Sequence, residues 1–251
     1  MRNTKYFPWT FARKSWNLFT DISRNLSGQQ GNFNGVKMSI WSSPTFQNWI
    51  EESTPELKKW FEEEIKFLKE NIKPGSRILD VGCGFGRHVE ILAPFCDEVV
   101  GIDNNDNMVK RSEEKLAGLI NVKIILEDAK KMDFEDNYFD YVICMTNTFG
   151  NLADKKIEAL KEMKRVCKEG GKIFLSVFSD KAFAARLKSY KKVNFIITKI
   201  DGSTFHLYNE VVSEQFTKQE LKDIFESAGL EAEIIELTPI GYICVTTKPQ
   251  T

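Results

Sequence analysis

Short apolar runs alternate with amphipathic segments through the middle of this chain. Residues 77–81, 98–102, 122–126, 139–145 and 172–177 are runs rich in Val, Ile, Leu, Phe and Tyr, and each reads as a buried strand. Between them, 86–92, 106–116 and 154–167 place apolar residues every three or four positions and read as helices. Strands separated by helices are the pattern of βαβ units, in which helices cover both faces of a parallel sheet.

The pattern changes at both ends. At the front, Thr54-Pro55-Glu56 starts a helix, with Thr as N-cap and Pro in the first turn. Leu57, Trp60, Phe61, Glu64, Ile65 and Leu68 follow with helical spacing, and the acidic run Glu62-Glu63-Glu64 reads as a solvated face. Before that helix, residues 1 to about 50 show no period and scatter Trp9, Trp16, Trp41, Phe46 and Trp49 among Asn, Ser, Gln and Gly. At the back, 194–217 holds two extended runs around Asp201-Gly202, a hairpin signal. Thr217 with Glu220 caps a helix that Gly229 stops. The last two runs, 231–237 and 240–247, are separated only by Thr238-Pro239, and so short a link requires an antiparallel pair.

One segment carries chemistry. LDVGCGFGRHVEIL, residues 79–92, sets Gly82, Gly84 and Gly86 between a strand and a helix, where a nucleotide's backbone approaches closely. A dinucleotide fingerprint would need glycine where Arg87 stands, and no Lys-Ser or Lys-Thr pair follows to make a phosphate loop. Acids stand at three strand ends: Asp80, Asp103 and Asp128. Asp103 is placed to accept from ribose hydroxyls, and Asp128 from an adenine amino group. A ligand with adenine, ribose and a cationic amino-acid tail suits these acids better than one with phosphates. Turn or cap aspartates would be the plainer explanation of each alone.

LDVGCGFGRH, VVGIDNNDNMVKRSEEK (99–115) and EDAKKMDFEDNYFDYVICMTNTFGNL (127–152) together resemble, in order, the motifs of the class I S-adenosylmethionine-dependent methyltransferases. The resemblance implies an α/β fold: a Rossmann-like, mostly parallel seven-stranded sheet with a terminal antiparallel strand. To it this chain adds an aromatic-rich N-terminal cap (1–53) and a β-hairpin insertion (193–216) in a methyltransferase domain spanning 54–251. It further implies S-adenosylmethionine as cofactor and S-adenosylhomocysteine as product. By this carry-over the cofactor meets Asp80, Gly82, Cys83, Gly84, Asp103, Asn104, Met108, Asp128, Ala129 and Thr146. Met108 is equally well read as core.

Substrate-pocket candidates are Trp9, Trp41, Asn147 and Phe149, with the cap expected to act as a lid. His206 is a weak candidate for a general base, against a plain surface role. The Asn/Asp-Pro-Pro-aromatic motif of base and amide methylation is missing: 145–149 reads Met-Thr-Asn-Thr-Phe. A small-molecule acceptor is therefore expected and nucleic acid disfavoured; the alternatives are a protein or RNA methyltransferase, or a non-catalytic S-adenosylmethionine-binding scaffold.

Composition narrows the setting further. Net charge is -1, so no global attraction to polyanions arises. Five cysteines without a C-x-x-C pair and only two histidines argue against disulfides and against a metal site. With no long apolar run, a cytoplasmic protein with no integral membrane association is expected. Nothing in the sequence fixes an oligomeric state.

Overall fold

The computed structural model of the chain describes residues 44–250. Trp9, Trp41 and most of the expected cap lie outside the described residues; its end is the helix α1 (Pro44–Glu51). Helix α2 (Pro55–Asn71) starts as read, with Thr54 extended at the N-cap and Pro55 in the first turn. Its buried stripe is Leu57, Trp60, Phe61, Glu64 and Leu68. Glu64 is therefore not part of a solvated face. Three and four residues beyond Phe61 and Trp60, it shares their side of the helix.

The alternation then runs as β1 (Arg77–Val81), α3 (Arg87–Leu92), β2 (Glu98–Asp103), α4 (Asp106–Leu116), β3 (Val122–Leu126) and β4 (Phe139–Cys144). It continues with α5 (Lys156–Val166), β5 (Cys167–Phe178) and α6 (Phe183–Lys192). Three short strands follow: β6 (Ile197–Asp201), β7 (Thr204–Leu207) and β8 (Val211–Ser213). The chain closes with α7 (Lys218–Ser227), β9 (Glu233–Thr238) and β10 (Gly241–Thr247).

The main sheet has seven strands in the order β3-β2-β1-β4-β5-β10-β9. All neighbours from β3 to β5 are parallel, and β10 is antiparallel to both β5 and β9. The antiparallel strand is thus last in the chain but second from the sheet edge. The two-residue link to β9 fixes that pairing. Side chains alternate between two buried layers, as a sheet covered on both faces demands. Leu79, Val100 and Val142 join Leu160 and Phe225 on one face, while Ile78, Val99, Tyr141 and Ile143 join Leu68, Val89 and Leu116 on the other.

The hairpin insertion is larger than its sequence signal. β6 and β7 pair antiparallel around the turn at Gly202, as expected, and β8 adds to β7 as a third strand. Helix α6, which the periodicity did not separate, packs its Tyr190 among Trp49, Phe195 and Phe205. This aromatic layer joins α1, α2 and the small sheet into one cluster.

Strand order reverses between β1 and β4, because β2 and β3 extend one way and β5 the other. A crevice opens at such a switch point, beyond the carboxyl ends of the strands. The glycine loop leaves β1 there.

Candidate functional site

The loop after β1 is held by its neighbours' backbone. The Gly82 and Cys83 N–H groups both donate to the Ile102 carbonyl, at 2.8 and 2.9 Å, and the Gly84 N–H donates to Asp103 Oδ2 at 2.9 Å. Gly82 has φ +71°, and a Cβ on it would lie 2.2 Å from Thr148 Cγ2. Gly86 has φ +76°, and its Cβ would meet Ser112 Oγ at 2.4 Å. Both positions need glycine for conformation and for space.

The loop lines a cavity of about 420 Å³, a size suited to a small ligand. On its wall stand Gly82, Cys83, Gly84, Asp103, Asn104, Met108, Asp128, Ala129 and Thr146, cofactor positions that the resemblance implies, and Asn147, a substrate-pocket candidate. Met108 is both buried and on this wall, so the two readings of it coincide. Asp103 Oδ1 also accepts from the Asn105 N–H at 2.9 Å, and burial holds its carboxyl above the usual range. Asp128 is half exposed, accepts from the Lys130 N–H at 3.0 Å and pairs with Lys130 Nζ at 3.3 Å.

Three candidates lie elsewhere. Phe149 is fully enclosed in the core and does not line the cavity. His206, on β7 opposite Lys199 and Val212, does not line it either. Asp80 sits behind the wall, 1% exposed, and neither of its oxygens has a hydrogen-bond partner. Burial first, then the charges of Asp103 and Glu64, against the opposing pull of Arg87, push its carboxyl up to about 7.

Glu64 is the residue that sequence reasoning missed. Fully enclosed, it pairs with Arg87 at 3.2 Å and accepts from the Thr146 N–H at 3.0 Å and the Thr146 hydroxyl at 2.9 Å. Ser176 Oγ donates to it as well. Burial pushes its carboxyl up, and Arg87 with these donors pulls it back. Arg87 also donates to Thr146 Oγ1 at 2.6 Å and contacts His88 Nε2 at 3.0 Å. Arg87 can only donate, so His88 Nε2 accepts and Nδ1 carries the proton. Burial and Arg87 hold the His88 pKa well below its usual value, so the ring is neutral. The signal for Glu64 was its place on the apolar stripe, which the run of three acids concealed.

Thr146 and Asn147 are successive non-glycine residues with φ of 52° and 62°. Such strain persists only where the surroundings impose it. Here Glu64 holds Thr146. The Asn147 N–H donates to Ser176 O at 2.9 Å, and its Oδ1 accepts from the Phe178 N–H at 3.0 Å. Phe46, Trp49, Ile50, Phe178, Tyr190 and Val211 give the cavity wall its apolar part, with Phe46 packed against Phe85 of the glycine loop.

Around the loop, then, Glu64 and Asp80 behind it and Asp103 on the cavity wall stand with Arg87 as the cation acting among them. Buried carboxylates with two unpaired oxygens suit a cationic ligand and oppose a phosphate. These negative groups complement the sulfonium and ammonium charges of S-adenosylmethionine. Among the described residues no cluster of His, Cys, Asp and Glu is arranged to hold a metal, and Cys83, Cys96, Cys144, Cys167 and Cys244 are all free and buried.

Comparison with known proteins agrees. A family model described as a methyltransferase domain matches residues 78–171. The demethylmenaquinone methyltransferase of Staphylococcus aureus is 36% identical over 170 residues, which cover 63% of this chain and 69% of that relative. The fold is shared with an S-adenosylmethionine-dependent methyltransferase of Methanosarcina mazei (21% identity, TM-score 0.59, covering 74% of this chain and 98% of that one). One from Clostridium acetobutylicum is 14% identical with TM-score 0.61, covering 94% and 100%. The chain belongs to the class I S-adenosylmethionine-dependent methyltransferases, enzymes whose cofactor is S-adenosylmethionine. Among the described residues no helix is long and apolar enough to cross a membrane.

Proposed function

We propose that this enzyme methylates a small organic molecule seated on the apolar part of the cavity wall. The observation that carries this reading is the make-up of one cavity wall, where acids and a glycine loop stand together with Phe46, Trp49, Ile50, Phe178 and Tyr190. The Staphylococcus aureus relative, named for demethylmenaquinone, supports a small-molecule acceptor.

On this reading Asp103 takes the ribose hydroxyls, Asp128 and Ala129 the adenine edge, and Asn104 and Met108 the flank and face of the base. Gly82, Cys83 and Gly84 line the amino-acid end, with Thr146 beside them. Asp80 and Glu64 act through space, since both are enclosed behind the wall. Bound S-adenosylmethionine supplies an electrophilic methyl on a sulfonium. The chain's own contribution is to fix the acceptor in line and keep water out. Orientation of this kind is worth roughly 7–11 kcal/mol in favourable intramolecular systems. Helix α1, which supplies Phe46, Trp49 and Ile50, is the described part of the proposed lid.

The test is transfer of labelled methyl from S-adenosylmethionine to a panel of small acids, phenols, amines and thiols. Label entering a member of the panel supports the reading. Label recovered only in protein or RNA added to the same reaction overturns it.

A further inference from the structure

A buried arginine stands behind the apolar part of the cavity wall. Arg186, on α6, is fully enclosed, with its guanidinium 5.0 Å from the Phe178 ring centre and 4.6 Å from that of Phe205. Its hydrogen-bond partners are all neutral: Ser203 O, Gln215 Oε1, Ser213 O and Ser213 Oγ, with the Tyr190 hydroxyl oxygen also against the guanidinium. Among the described residues no carboxylate lies within ion-pair distance of it. Tyr190 and, after it, Glu214 are the groups that act on its charge, and Glu214 is paired with Lys156. A buried charge without a counter-ion is costly, and a bound anion relieves that cost.

Ser213 links Arg186 to the cavity wall. A serine hydroxyl accepts twice and donates once. Ser213 Oγ accepts from Arg186 at 3.1 Å and from Asn147 Nδ2 at 3.3 Å. The amide orientation of Asn147 is set, because its Oδ1 already accepts from the Phe178 N–H. Both lone pairs of Ser213 are therefore taken. Its hydrogen must go to Tyr190 Oη, 2.9 Å away. Tyr190 accepts that bond, so its own hydrogen is left without a protein partner among the described residues. Tyr190, Ser213 and Asn147 all line the cavity.

We infer that Tyr190 is a specificity-determining residue: it donates its hydroxyl hydrogen to an anionic oxygen, a carboxylate or phenolate, on the methyl acceptor, with Arg186 supplying the compensating charge through Ser213. The inference rests on the small-molecule reading above and narrows it to acceptors that carry such an oxygen. Neutral amides and amines lack the charge. Cationic acceptors meet Arg186 as a like charge.

Calorimetric titration of the full chain saturated with S-adenosylhomocysteine tests this. The probes are matched pairs: benzoate and benzamide, cinnamate and cinnamamide, 2-naphthoate and 2-naphthamide. A charge-assisted hydrogen bond predicts that the acids bind at least about tenfold tighter than their amides. Tyr190→Phe keeps the ring against Trp49 and Phe205 and removes only the hydroxyl. It should bring acid and amide to within about threefold, with S-adenosylhomocysteine affinity unchanged, and Ser213→Ala should shift the ratio the same way. Amides binding as tightly as acids, a preference that survives Tyr190→Phe, or no saturable binding by any acid would overturn the inference. Methyl transfer to amines in the panel would overturn it too, while leaving the small-molecule reading in place.

Discussion

Glu64 and Arg87 meet at 3.2 Å behind the glycine loop, joining a helix outside the sheet to the first residue of α3. Glu64 also accepts from Thr146, so one enclosed carboxylate ties the loop side of the site to the strained Thr146-Asn147 turn.

Glu64→Ala should therefore do more than remove an ion pair. It leaves Arg87 without a counter-ion and the Thr146 N–H without an acceptor. Removing one partner from a buried pair costs about 3–5 kcal/mol; the partial exposure of Arg87 lowers the expectation to about 2–4 kcal/mol. Urea unfolding monitored by tryptophan fluorescence would read it. A loss under about 0.5 kcal/mol, the scale of an ordinary surface change, would contradict the network.

Asp80 should make cofactor binding depend on pH. Its carboxyl, pushed up to about 7 by burial, ionises as pH rises from 6 to 8. Affinity for cationic S-adenosylmethionine should rise over that window. The folded cofactor-free protein pays for the same charge. Its carboxyl keeps a proton that the unfolded chain releases near pH 4, so stability falls between about pH 4 and about pH 7 and levels off above. Asp80→Asn should raise the melting temperature of the cofactor-free protein at pH 8 and reduce the shift given by S-adenosylmethionine. Melting curves with and without cofactor at pH 6 and pH 8 check both signs. A wild-type affinity flat across the window would sink the prediction.

Gly82→Ala should fail for two separable reasons. Its Cβ falls 2.2 Å from Thr148 Cγ2, and its φ of +71° is strained for alanine. Together these cost about 1–3 kcal/mol and loosen cofactor binding. Adding Thr148→Ser removes Cγ2 and should recover part of the stability, leaving the backbone strain. No recovery in the double variant would mean that the contact with Thr148 is not the cause.

The alternation of periods made the parallel sheet legible, because a strand buried on both faces has little choice but a continuous apolar run. The two-residue link, read from the sequence at Thr238-Pro239 and found at Pro239-Ile240, likewise fixed the antiparallel pairing of β9 with β10. What could not be read was anything set by tertiary partners. Glu64 looks solvated in a row of three acids until Arg87, Thr146 and Ser176 arrive from elements 23 to 112 residues away. Helix α6 hides because Arg186 and Ser189, polar by type, occupy its buried face. Asp80 stands at its strand end as expected, yet the loop encloses it rather than presenting it to the cavity.

On the proposed reading, the acids that line the cavity at the strand ends, Asp103 and Asp128, bind the cofactor. Asp103 carries this binding most directly, since it lines the cavity and secures the Gly84 N–H at 2.9 Å. Calorimetric titration of S-adenosylmethionine into the wild type and Asp103→Ala should show the variant binding at least about tenfold more weakly, or not measurably, as expected for lost charge-assisted hydrogen bonds. Equal affinity in the two proteins would contradict the assignment.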